Sequence, residues 1–138
     1  MTTAHLPGTR LTLAGGISAV VVGLAHLAVT ASPHWAGWLA GELRDRTASD
    51  ASFAAFWANP GGLGLPLVTA GILLIRLARR GEAAPVLAGI VLTIWAAICV
   101  VLIGPASGFT IGLAVGLLVL LGGLRGRLAP RPVRAGSQ

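Results

Sequence analysis

Charge is distributed along this chain in a way few folds tolerate. Of its 138 residues, none within 11–41, 51–75 or 83–124 is Asp, Glu, Lys or Arg. A helix needs about 20 consecutive apolar residues to cross the hydrocarbon of a bilayer. The first two runs hold one such span each. The third is long enough for two, divided at Gly104-Pro105. Charged residues make up only 10% of the chain and hydrophobic ones 55%, against roughly 25% charged in soluble domains. That is too little charge to cover a water-facing surface. The expected fold class is all-α: an integral membrane four-helix bundle over residues 1–124, with a short interfacial helix in the first outer loop.

The four spans are expected at about 11–30, 53–76, 84–103 and 106–124. The first is too long for a signal-peptide core, although "AVTAS" would offer a cleavage site after Ala31. The second must recruit "FAAFWANPGGLG", because 67–77 is too short to cross alone, and it should bend near Pro60. Orientation follows from the arginines, since the chain has no lysine. Arg10, Arg76, Arg79, Arg80, Arg125, Arg127, Arg131 and Arg134 fall on one side. Arg44 and Arg46 fall on the other, offset by Glu42, Asp45 and Asp50. Both termini are therefore expected in the cytoplasm. The basic excess reads as topology, so nucleic acid is not an expected partner; the lipid bilayer is. Residues 125–138, rich in Arg and Pro, are expected to form a disordered tail.

In the outer connection, "SPHWAGWLAGELRDR" sets Trp35 and Trp38 on one helical face as interfacial anchors. In "GPASGFTIGLAVGLL", Gly104, Gly108, Gly112 and Gly116 recur at every fourth position. Lipid removes the hydrophobic drive between helices, and small residues spaced this way allow close van der Waals approach instead. Gly108, Gly112 and Gly116 are thus expected to pack a neighbouring helix, in the same chain or in a second copy or complex. Gly104 is expected in the loop. Smaller versions occur at Gly16 and Gly23, and at Ala84 and Ala88.

Signatures of catalysis are absent: there is no paired-His metal motif, no CxxC, no phosphate loop and no GxSxG turn. The lone Cys99 excludes an internal disulfide. No metal or cofactor is expected. One ionisable residue lies inside a span, His26, at roughly 6 Å below the outer boundary by helical rise. Asn59, Trp95 and Thr110 fall in the same outer half. Either His26 hydrogen-bonds a neighbouring helix and steadies the bundle, or it faces an outward-opening pocket with Trp57 and Trp95 as apolar walls. His26, Trp57, Asn59, Trp95 and Thr110 are the candidate ligand-binding set.

Three segments, "GLAHLAV", "AFWANPGGLGLPLVTAGILL" and "GPASGFTIGLAVGLLVLLGGL", resemble a family of small bacterial four-span membrane proteins, domain of unknown function 6463. Thr110 stands where that family would have an aromatic. The resemblance implies a four-helix integral membrane fold and carries no activity. The expected function is a polytopic protein of the bacterial cytoplasmic membrane that binds a small apolar or lipid-like ligand. The alternatives are a transporter of the small multidrug-resistance type, for which His26 would have to replace a carboxylate, and a membrane enzyme using His26.

Overall fold

A computed structural model describes residues 7–129. Among them the fold is all-helical, without strands. Helix α1 covers Pro7–His26 and continues through a π-turn, Leu27–Ala31, and a 3-10 turn, Ser32–His34, into α2, Trp35–Ala40. Then come α3, Asp50–Ala58; α4, Gly64–Arg79; α5, Val86–Ile103; and α6, Phe109–Leu128. Three stretches, Gly8–Ala40, Val86–Ile103 and Phe109–Leu128, are long and apolar enough to cross a membrane.

Local chemistry explains the boundaries. Gly41 closes α2 at φ 99°, and its N–H bonds back to the Gly37 and Trp38 carbonyls. Ser49 caps α3 by accepting from the Ser52 N–H at 3.2 Å. Gly104 ends α5 at φ 109°, just before Pro105. Arg76, Arg79, Arg125 and Arg127 lie in the last turns of α4 and α6, where a cation complements the helix dipole.

The structure differs from the sequence expectation in three places. The helix expected across 53–76 is broken, not bent. Asn59 leaves helical geometry at φ −121°, ψ −104°, because the following proline disfavours the helical region for it. Gly61 and Gly62 complete a turn, and α4 restarts at Gly64. The chain after residue 30 does not leave the first helix but stays helical to Ala40. The last helix runs to Leu128 instead of ending at 124, so Arg125 and Arg127 belong to it and not to a tail. Residues 130–138 of the expected tail lie outside the described residues.

Helices pack in the order α4–α1–α6–α5, each antiparallel to its neighbour. Glycine makes the contacts close. A Cβ on Gly8 would lie 2.5 Å from the Gly122 carbonyl, and one on Gly71 would lie 2.7 Å from that of Gly16. A Cβ on Gly89 would meet the Leu120 backbone, and one on Gly116 would stand 2.8 Å from Thr93 N. The buried Thr12 hydroxyl donates to the Gly8 carbonyl at 3.0 Å and accepts from Ala84 N–H at 2.9 Å. It thereby ties α1 to the start of α5. Leu74, Ala84 and Val119, with Leu77 and Leu92 against them, close the same half of the molecule.

Because α1 is antiparallel to both α4 and α6, Arg10, Arg76, Arg79, Arg80, Arg125 and Arg127 share one end, all exposed. Arg44, Arg46, Glu42, Asp45 and Asp50 lie at the other. Along α5, Leu87, Val91, Ile94, Ile98 and Val101 form an exposed apolar stripe, a surface that water would penalise and lipid would not.

Candidate functional site

At the end away from the arginine cluster the helices separate around a cavity of about 520 Å³. Its walls come from α1, α4, α5 and α6, and no Asp, Glu, Lys or Arg lines it. Along α1 and the π-turn that follows it, the cavity runs from Val22 to Thr30, about 12 Å by helical rise. Leu92, Val115 and Val22 form the deep end; Thr30, Leu63 and Ser107 lie at the opposite rim. The volume falls within the roughly 300–1,000 Å³ usual for small-molecule sites.

The glycines expected to pack span four divide along its length. Gly116 is in tight contact with α5, and Gly112 meets only the Ala96 methyl, at 3.9 Å. Gly108 has nothing within 4 Å of a would-be Cβ and, with Gly112, lines the cavity. Toward the arginine end, close backbone contacts are made at Gly8, Gly71, Gly89 and Gly122. Repetition in sequence marks a small-residue face; what that face meets depends on how far the neighbouring helix has diverged.

Of the candidate ligand set, His26 and Trp95 line the cavity. Both are half-buried, and neither ring makes a hydrogen bond to another described residue. Trp95 rests edge-on against Phe109, with ring centroids 5.4 Å apart. Trp57 is not on the wall. The break at Asn59 carries α3 away from the α4 axis, leaving Trp57 exposed among Phe53 and Phe56. Thr110 is exposed, faces away from the cavity, and donates to the Pro105 carbonyl at 2.6 Å.

Asn59 is wholly buried behind the wall and supports it. Its Nδ2 donates to the Ala55 carbonyl and to Thr30 Oγ1, both at 2.7 Å. The Thr30 hydroxyl in turn donates to the His26 carbonyl at 2.7 Å. This chain joins the end of α3 to the π-turn that follows His26. π-turns of this kind recur at functional sites because they redirect side chains within a helix.

Sequence reasoning missed Thr30, Ser107 and Phe109. Thr30 was within reach, because it follows His26 by one helical turn and shares its face. Ser107 and Phe109 depend on how α6 starts after the Gly104 turn, and spacing does not specify that. The Ser107 hydroxyl donates to the Gly104 carbonyl at 2.7 Å, so its proton is committed to the backbone.

The two tryptophans expected as anchors differ. Trp35 is exposed, whereas Trp38 donates its indole N–H to Ser52 Oγ at 2.9 Å and clasps α2 to α3. Its ring also stacks on His34 and meets Phe56 edge-on. His34 is therefore engaged in this aromatic cluster and is not directed with His26 at a common ligand. Among the described residues no three His, Cys, Asp or Glu side chains converge. Comparisons with family models, curated proteins and solved structures find no match to this chain.

Proposed function

We propose that this chain is a four-helix integral membrane protein of the bacterial cytoplasmic membrane, with cytoplasmic termini, that binds a small apolar or lipid-like ligand in the outer half of the bundle. The observation that carries the binding reading is the uncharged cavity with the unpartnered His26 imidazole on its wall. Burying an imidazole without a partner is costly, and a guest that bonds to it removes that cost. The gathering of six arginines at one end supports the orientation, since arginine-rich ends stay cytoplasmic. The apolar stripe on α5 supports a lipid surround. Helix α4, at 16 residues, is about 24 Å long, short of the roughly 30 Å hydrocarbon core. The turn at 59–63 and α3 complete its passage on the outer side in this reading. The resemblance to domain of unknown function 6463 would imply the same four-helix membrane fold and carries nothing about binding.

Two measurements test it. In lipid nanodiscs, a screen of uncharged lipid-like compounds should raise Tm saturably in the native chain and not in His26→Ala. A screen with no stabilising compound would remove the binding reading. A fluorescent reporter that works only in the cytoplasm, fused after Gln138, should light up; activity of a periplasm-only reporter there would overturn the orientation.

A further inference from the structure

Resting on that binding reading, we infer that the ligand is an uncharged amphiphile, with a carbonyl or hydroxyl at one end held by His26 and an apolar body reaching toward Leu92 and Val115. Four lining side chains carry polar atoms: His26, Thr30, Trp95 and Ser107. The Thr30 hydroxyl proton is taken up between the His26 carbonyl at 2.7 Å and Asn59 Oδ1 at 2.9 Å, and that of Ser107 goes to the Gly104 carbonyl at 2.7 Å. His26 and Trp95 keep free N–H groups.

A charged head has no counterpart here. With no acid on the wall an ammonium would be desolvated without a countercharge, and with no Arg or Lys a carboxylate or phosphate would find no permanent positive charge, only the His26 imidazole as a basic group. Burying an unpaired ion is far more costly than burying a neutral group that keeps one hydrogen bond. The walls therefore offer no permanent charge of either sign to a charged head.

The packing register sets the direction. On α1 and α6, Gly15 stands against Val119; on α5 and α6, Thr93 stands against Gly116. Counting along these antiparallel pairs places His26 level with Gly108 and Trp95 level with residues 113–114. His26 thus sits about 8 Å nearer the outer rim than Trp95. Below His26 the wall is the Trp95–Phe109 pair and aliphatic carbon. A head at His26 and a body below it match the way lipids of an outer leaflet lie, polar end outward.

The test uses the full chain in nanodiscs and four probes of equal chain length: dodecan-2-one, dodecane, dodecanoate and dodecyltrimethylammonium, all below micellar concentration. Binding is read by quenching of Trp95 fluorescence in a variant whose other tryptophans are replaced by phenylalanine, checked by the native chain's Tm. The ketone should bind saturably, about tenfold more tightly than the alkane, as one buried hydrogen bond provides. Both ions should bind at least tenfold more weakly than the ketone. In His26→Leu the ketone should fall to the alkane's affinity while the alkane is unchanged. Equal binding of ketone and alkane to the native chain, or tighter binding of either ion, would overturn this inference and leave the cavity reading standing. No saturable binding of any probe would overturn both. The imidazole nitrogens of labelled His26 give a second readout: their resonances should shift with ketone and not with alkane.

Discussion

The two ends of this bundle are built from the same four helices and behave differently. Toward the arginine cluster, glycine backbones touch: a Cβ at Gly71 would stand 2.7 Å from the Gly16 carbonyl, and Thr12 bridges α1 to Ala84. Toward the other end α6 parts from its neighbours, so that Gly108 and Gly112 border open volume, while α1 and α4 stay close, a Cβ on Gly23 standing 2.7 Å from Val68 Cγ2. Glycine therefore serves two purposes along one sequence face. Where a neighbouring backbone arrives, the missing side chain permits contact; where none arrives, it enlarges a cavity. The order α4–α1–α6–α5 contributes, because α4 and α5 share little contact beyond the cluster around Leu74 and Leu92.

This contrast can be broken most strongly at Gly89. Its Cβ would collide with the Leu120 backbone, so Gly89→Ala should destabilise by about 3 kcal/mol, the upper part of the overpacking range. Reversible denaturation in detergent micelles measures it; a loss below about 0.5 kcal/mol would show that the tight end is not tight. Asn59→Ala comes next, at about 2 kcal/mol, because it strips the Ala55 carbonyl and Thr30 of their donor. This variant should also weaken ligand-dependent stabilisation, whereas Gly89→Ala should weaken stability alone. Gly112→Ala should change stability by less than about 0.5 kcal/mol, since its new methyl meets only Ala96 at an ordinary distance. Gly108→Ala should have the smallest effect, a gain of a few tenths of a kcal/mol, from reduced freedom of the unfolded chain. A marked loss at Gly108 would mean that a second helix covers it.

Much of the helical layout was legible from charge and hydropathy alone. The run over 83–124 divides at Gly104-Pro105 as expected, and α5 begins within two residues of its anticipated start. The cavity was legible only in outline. His26 stood out because an ionisable group within an apolar run is rare, and Trp95 because depth arithmetic placed it nearby. Trp57 and Thr110 were misplaced for a reason hydropathy does not encode. Hydropathy locates a residue along an apolar run, but the direction its side chain points depends on the exact turn at which a helix breaks or starts. Asn59 illustrates the limit. Its depth suggested a wall residue, while its amide is consumed in joining Ala55 to Thr30.

That joint has a consequence for how a guest is received. The outer margin of the chamber is secured by three short hydrogen bonds, running from Ala55 through Asn59 and Thr30 to the carbonyl of His26. Under the proposed binding function, a margin already stitched in this way has little conformational freedom left to surrender on association. Selectivity then resides in the fit between visitor and standing architecture, and not in a rearrangement that many visitors could provoke.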